Sequence, residues 1–220
     1  MTDEMRAKVE KVMKNLERNK MKPYFCENRE EAQALVKTLI KKGETISCGG
    51  SKTLDETGIY QMINSSDYNF LDRSAPGMTR PEVEEVYRQT FRADTFFMST
   101  NALTENGELY NVDGNSNRVA ALLYGPKSVI VVCGINKIVK NIDEAIKRVK
   151  TIAAPQNTIR LGIETPCGKT GECVSLRKEN PELCDGCHGD TRICCNYVVS
   201  AQQRHIDRIK VIIIGEEYGY

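Results

Sequence analysis

Six of the nine cysteines in this 220-residue chain fall between positions 167 and 195, in a stretch that is neither helix-like nor strand-like. Cys167, Cys173, Cys184, Cys187, Cys194 and Cys195 follow the spacing C-x5-C-x10-C-x2-C-x6-C-C among Gly, Pro and charged residues, with no periodic apolar pattern. Such a segment cannot bury a core of its own, so thiol chemistry and the rest of the chain must organise it. Met1 to Lys20 is charged throughout and lacks the apolar centre of a secretion signal, so a reducing, cytoplasmic setting is expected. There, clustered thiols read as metal ligands rather than as disulfides. The chain accordingly divides into residues 1–165 as an α/β body, 166–196 as a cysteine-rich metal-binding segment, and 197–220 as strands completing the body.

The body has to carry the fold, and its periodicity shows how. Met5, Val9, Val12, Met13 and Leu16 recur at helical spacing, and Asn28 with Glu31 is a capping-box signature opening a second helix, so two helices are expected before the first strand. Thr45–Cys48 is strand-like and runs into Gly49-Gly50-Ser51-Lys52-Thr53, with Thr53 and Glu56 as the expected cap of a further helix. Tyr68–Leu71 and Asp94–Ser99 read as strands, with a helix from Thr79-Arg80-Pro81-Glu82 between them. Asn106-Gly107 marks a two-residue hairpin turn, residues 115–124 a helix, Ser128–Cys133 a buried strand, and Asp143–Ala153 a helix. Tyr197–Val199 and Lys210–Gly215 are late strands. Strands alternating with helices imply an α/β fold in three layers, a largely parallel sheet with helices on both faces and one hairpin insertion.

Lys and Arg number 31 against 30 Asp and Glu, a net charge of +1 that excludes a chain-wide basic field for nucleic acid or an acidic lipid surface. No apolar run is long enough to span a membrane. Recognition must therefore be local. Gly49, Gly50, Ser51, Lys52 and Thr53 lie between a strand and a helix, where a small anion could be received, yet they form neither a Walker A loop nor a GxGxxG fingerprint. Residues 99–118 concentrate polar groups at a strand end. Glu105 is the candidate base or nucleophilic carboxylate and Asn101 its catalytic companion, while Asp113, Asn115 and Arg118 are candidates to bind and orient an anionic substrate. Turn and cap chemistry already account for Asn106 and Asn115. The only histidines, His188 and His205, leave no basis for a Ser-His-Asp or Cys-His arrangement.

Cys184-Asp185-Gly186-Cys187 is a CxxC knuckle, and Cys167, Cys173 and Cys194 supply the further thiolates of a four-sulfur site. An iron–sulfur cluster is the preferred occupant over zinc, because zinc suits paired knuckles and this chain has one; free thiols or a redox disulfide are the remaining readings. The haem-attachment pattern Cys184-x-x-Cys187-His188 is set aside for want of an export signal. Cys26, Cys48 and Cys133 sit in apolar runs and read as small buried hydrophobes.

Gly49-Gly50-Ser51, Ser99-Thr100-Asn101-Ala102 with Glu105-Asn106-Gly107, Asn111-Val112-Asp113-Gly114-Asn115 with Arg118-Val119-Ala120, and Gly134-Ile135-Asn136-Lys137 together resemble the LUD family of lactate-utilisation proteins. Thr165-Pro166-Cys167, Gly171-Glu172-Cys173, Arg192-Ile193-Cys194 and the ending Gly215 to Tyr220 are similar to one branch of it. The resemblance implies a fold like that of the CoA-transferase and ribose-phosphate-isomerase group. It also implies a place in small organic-acid metabolism beside iron–sulfur and flavin-type oxidoreductase partner subunits. The inserted Val174–Leu183 with its extra Cys184, and the Cys194-Cys195 doublet, depart from the branch.

Three functions compete. The first is an enzyme or oxidoreductase subunit binding a small anionic metabolite. The second is a redox or sensor module built on the cysteines. The third is a structural subunit with a zinc clasp, no activity of its own, and a stable partner or a second copy of itself.

Overall fold

The computed structural model describes residues 1–220. Helix α1 (Asp3–Arg18) buries Val9, Val12 and Leu16 along one stripe, as their spacing requires. The next element corrects the expectation of two consecutive helices: Lys22–Cys26 is a strand, β1, placed between α1 and α2 (Arg29–Leu39). It occupies a sheet edge, where Pro23 can be accommodated without breaking a second ladder. Then follow β2 (Thr45–Cys48), α3 (Lys52–Glu56), α4 (Ile59–Ile63), β3 (Asn69–Phe70), α5 (Arg80–Thr90) and β4 (Thr95–Met98). Ser51, not Thr53, caps α3, accepting from the Leu54 N–H at 3.2 Å. Helix α5 starts where predicted, with Glu82 accepting from the Thr79 N–H at 2.7 Å.

β5 (Ala102–Thr104) and β6 (Leu109–Asp113) form the expected hairpin, with Leu103 opposite Leu109. Its connection is one residue longer than the Asn-Gly signal suggests. The Thr104 carbonyl accepts from the Gly107 N–H at 2.9 Å, and Gly107 takes φ +77°, the left-handed residue that closes a three-residue loop. A side chain at Gly107 would meet the backbone of α1, the Leu16 nitrogen lying 2.7 Å from the position of a Cβ.

The chain continues through α6 (Asn117–Leu123), β7 (Ser128–Gly134), β8 (Ile138–Val139), α7 (Ile142–Arg148), α8 (Ala154–Leu161), α9 (Pro166–Thr170), β9 (Asn196–Ser200) and β10 (Ile209–Ile214). α7 and α8 are one continuous helix, interrupted by a π-helical turn at Val149–Ala153. Pro155, just beyond that turn, has no N–H to give to the ladder, and a widened turn is how a helix absorbs such a gap.

Six strands form a wholly parallel sheet in the order β1-β10-β7-β4-β2-β3. One face packs on α1, α6 and the hairpin through a core that includes Val12, Leu16, Met98, Leu122, Val131 and Ile213. The other packs on α2, α3 and α4 through Val36, Leu54, Ile59, Phe97, Ile130 and Ile212. This is the three-layer α/β arrangement expected. The hairpin, however, does not insert into the parallel sheet; it is the centre of a second sheet, β8-β5-β6-β9, closed over α7 and the π turn by Tyr110, Ala145 and Val149. The two late strands consequently part company, β9 going to the small sheet and β10 to the large one. No helix is long and apolar enough to cross a membrane.

Candidate functional site

Four segments leave the carboxyl ends of parallel strands side by side: Gly49–Thr53 after β2, Ser99–Asn101 after β4, Ile135–Lys137 after β7, and Gly215–Tyr220 after β10. Where neighbouring strands end together, their loops diverge and leave a crevice, the usual ligand position in an open α/β sheet. Here the crevice is a cleft of about 700 Å³, walled on its far side by residues 112–118 and by α8.

Most of the residues singled out from sequence meet there. Gly50, Ser51, Lys52, Thr53, Asn101, Asp113, Asn115 and Arg118 all line the cleft. Gly49 lies just beneath, and a Cβ on it would sit 2.9 Å from Arg118 Cγ. A Cβ on Gly50 would meet Arg73 Nη2, so that guanidinium lies directly against the turn. Helix α3 spans five residues and Ser51 already caps it, so side chains rather than a helix end give this cleft its charge.

Two expectations are corrected. Glu105 is not in the cleft; it sits at the hairpin tip, where its carboxylate pairs with Lys11 at 2.7 Å and its carbonyl accepts from Asn15 Nδ2 at 2.8 Å. A hairpin points its turn away from the strand end that starts it, which carries Glu105 away from Asn101. Arg118 does line the cleft, but its guanidinium is committed to the protein. Nη1 donates to the Ser99 carbonyl (3.2 Å) and to Asn111 Oδ1 (2.6 Å), and Nη2 to Asn101 Oδ1 (3.2 Å) and the Val112 carbonyl (2.9 Å). Its Nε lies 3.2 Å from Asp113 Oδ2. Arg118 therefore organises the site by tying the start of the hairpin to its end. Asn101, whose Oδ1 also accepts from the Val112 N–H at 2.8 Å, is part of the same brace. Asp113 Oδ1 receives the Ser116 N–H at 3.2 Å, and Asn115 Oδ1 receives Arg80 Nη2 at 3.4 Å at the rim.

Sequence reasoning missed the most deeply buried basic side chain of this cleft. Lys137, only 3% exposed, donates to Thr53 Oγ1 and to Ser99 Oγ, both at 2.9 Å. Burial, reinforced by the Arg148 and Arg118 charges, pulls its ammonium down to about 7, against a smaller upward pull from Cys133. The signal available was its position: a lysine four residues beyond the most strand-like run of the chain. Arg73, Arg80, Arg160 and Arg192 were also passed over as site residues; Arg80 and Arg192 stood in segments read only as a helix start and a cysteine motif, and Arg73 and Arg160 come from a loop and a helix with no local motif. Arg73 donates to Tyr87 Oη at 3.2 Å, and Arg160 to Tyr220 Oη at 2.7 Å. With Lys52, Arg118 and Lys137, seven cationic side chains line the cleft against two acids, Asp113 and Asp190. Arg73, Lys137, Arg160 and Arg192 take part in none of the salt bridges of the chain.

Behind one wall of the cleft, Cys167, Cys173, Cys187 and Cys194 line a second, smaller cavity with about 20 Å³ of free space. Cys184, the fifth predicted ligand, is exposed and is not among the residues lining it, and Cys195 is exposed as well. Arg192 shapes the segment: its Nε donates to the Cys194 carbonyl, Nη1 to that of Cys187 and Nη2 to that of Cys184, at 2.8, 2.8 and 2.9 Å. Thr165 Oγ1 and Ser175 Oγ lie 3.3 Å from the sulfurs of Cys167 and Cys173. Burial first, then the neighbouring Cys167 and Cys173, push the Cys194 thiol up to about 12. As the side chains stand, no three His, Cys, Asp or Glu residues form a group arranged to hold a metal ion. Cys26, Cys48 and Cys133 are buried in the sheet cores, and burial raises each thiol, to about 11, 12 and 12. Val149, Ala154, Arg192, Ile193 and Cys194 face both cavities.

The model of the LUD domain matches residues 9–214, nearly the whole chain. The chain belongs to the LUD domain family. Among solved structures, this LUD domain is similar to a DUF162 family protein from Deinococcus radiodurans, with a TM-score of 0.50 and 14% identity over 98% of this chain and 99% of that one. That likeness concerns the fold. More distant matches are eIF2B beta and eIF2B delta from Chaetomium thermophilum, each with a TM-score of 0.36, at 15% and 17% identity. They cover 52% and 54% of this LUD domain and 44% and 50% of those chains. No curated protein matches it.

Proposed function

We propose that this LUD domain binds a small anionic metabolite, a carboxylate of lactate-type organic-acid metabolism, in the strand-end cleft, and carries a cysteine-ligated metal beside it. The observation that supports the first part is the charge imbalance: six cationic side chains, besides Lys137, against two acids in one cleft of a chain whose net charge is +1. A concave, low-dielectric surface focuses such a field, so an anion entering it supplies the charged partner that Arg73 and Arg160 lack. Family membership supports a lactate-utilisation role, served through oxidoreductase partner subunits.

The test is thermal unfolding in the presence of acetate, lactate, pyruvate and phosphate, with lactamide as the uncharged control. Millimolar anions are expected to stabilise the folded state by RT ln(1 + [L]/Kd) and so to raise the midpoint, less so as ionic strength rises, and Arg73→Ala and Arg160→Ala to weaken the effect about tenfold in Kd. An identical shift with lactamide, or none with any anion, would sink the reading.

The donor set of the smaller cavity fits a thiolate-bound group. Four sulfurs face one space, and the Thr165 and Ser175 hydroxyls stand beside two of them as donors of the kind that orient metal-bound thiolates. Cys167, Cys173, Cys187 and Cys194 would hold an iron–sulfur cluster in preference to zinc; a cluster supplies one-electron redox chemistry, zinc a rigid clasp. Anaerobically purified protein is expected to contain iron and acid-labile sulfide and to absorb in the visible. Cys194→Ser should abolish this, while Cys184→Ser and Cys195→Ser should retain it. Stoichiometric zinc in colourless protein would replace the cluster with the clasp, and metal retained by Cys194→Ser would refute the ligand set.

A further inference from the structure

A lysine lining an anion-binding cleft is ordinarily charged and open to solvent. Lys137 differs in its surroundings. Its nitrogen is held between two hydroxyls, and each of these directs its own hydrogen elsewhere: Thr53 Oγ1 donates to the Tyr218 carbonyl at 3.3 Å, and Ser99 Oγ to the Thr100 carbonyl at 3.5 Å. Both oxygens are thereby left as acceptors from Lys137. A neutral amine has two N–H bonds and one lone pair, so these two acceptors satisfy both of its donors and leave the lone pair over. An ammonium would carry a third N–H, and Nζ has no third protein acceptor within hydrogen-bond distance. No carboxylate forms a salt bridge with this nitrogen; burial is the largest influence on it, Arg148 and Arg118 add positive charge nearby, and Cys133 and Glu56 act in the opposite sense without outweighing burial. The Gly219 backbone passes over the site, a Cβ there falling 3.4 Å from Nζ and closer still to Thr53 Oγ1. The amine is thus enclosed by protein on its donor sides while remaining part of the cleft lining.

Building on the anion-binding reading above, we propose that Lys137 is a nucleophilic amine and that the cleft takes an anionic carbonyl compound, a 2-oxo acid, which Lys137 binds as a Schiff base. The cleft's unpaired arginines hold the carboxylate, and the lone pair of Nζ attacks the adjacent carbonyl carbon. A C–N bond forms as the carbonyl π electrons move to oxygen, giving a carbinolamine once a proton passes from nitrogen to that oxygen. A second proton, taken from solvent, lets the oxygen leave as water, and the C=N⁺–H iminium remains. No electrons are exchanged. A 2-hydroxy acid has no carbonyl and occupies the same cleft without this bond. A buried amine with cationic neighbours is the arrangement that keeps a lysine unprotonated enough to react at neutral pH.

The experiment is reductive trapping. Full-length protein is incubated with pyruvate and sodium borohydride, digested, and mapped by mass spectrometry, with lactate in place of pyruvate as the control. The expected result is one carboxyethyl group on Lys137, formed about tenfold faster than on any surface lysine, rising in rate as pH passes about 7 and absent with lactate. Lys137→Arg should lose this label while its unfolding midpoint shows that it is folded. If pyruvate stabilises the protein but no adduct appears at Lys137, or if label spreads evenly over surface lysines, the Schiff base is refuted and the anion cleft stands. If neither stabilisation nor adduct appears, both fall.

Discussion

Arg118→Ala is expected to lower the stability of the folded chain by about 3–5 kcal/mol, the cost of removing one partner from a buried, charge-assisted network. The loss is large because of what the guanidinium leaves behind. Asn101 Oδ1, Asn111 Oδ1 and the carbonyls of Ser99 and Val112 each lose a donor, and Asp113 loses the cation 3.2 Å from its Oδ2. Arg118→Lys should recover little, since one ammonium has three donors on a single atom and cannot reach acceptors spread across both strands of the hairpin. Urea unfolding measures this directly, as a fall in the midpoint at unchanged slope. A loss below about 1 kcal/mol, accompanied by loss of anion binding, would return Arg118 to the role of a substrate ligand rather than a brace.

Lys137→Met should act in the opposite direction, and only over part of the pH scale. The folded-state value of Lys137 is depressed from 10.5 to about 7 by burial, with Arg148 and Arg118 adding to the depression and Cys133 and Glu56 opposing it. Between those two values the unfolded chain holds a proton that the folded chain does not, so wild-type stability from this group rises with pH across the window. Below about 7 both states are charged, and the folded state bears the full penalty of a buried ammonium. Methionine removes the penalty. The variant should therefore exceed wild type by about 1–4 kcal/mol at pH 6, with the gap closing toward pH 10. Denaturation at the two pH values tests this, and a variant no more stable at pH 6, or a gap indifferent to pH, would contradict it. A residue whose removal stabilises the fold is one retained for something other than folding.

The two largest strands of the parallel sheet, their flanking helices and the hairpin were legible because each is specified locally. Val129–Cys133 is continuously apolar, Thr79 with Glu82 is a self-contained cap, and Asn106-Gly107 marks the turn though not its three-residue length. β1 was not legible, being five residues long between two stronger helical patterns. Nor was the division of β9 and β10 between sheets, because pairing such as Tyr110 with Val199 joins segments far apart in sequence. The same contrast holds at the site. The glycine turn and the polar stretch around Asn101 and Asp113 are contiguous and could be found by reading along the chain. Arg73, Arg160 and Arg192 become neighbours only after folding. Lys137 stood within a recognised segment, but its distinguishing property is burial between two hydroxyls from other loops, which no local pattern encodes. Glu105 shows the converse error, a chemically suitable residue that a hairpin carries to the wrong end.

Val149, Ala154, Arg192, Ile193 and Cys194 line both the cleft and the cysteine cavity, so a shift of any of them is felt on both sides. Arg192 grips three cysteine-segment carbonyls on one side and faces the cleft on the other. Any displacement of this wall that accompanies occupancy of one chamber enters the free energy of filling the second, and linkage makes the effect equal in both directions. If the proposed thiolate-bound group occupies the cysteine cavity, anion affinity measured with and without it would differ by the same factor by which the anion alters its retention.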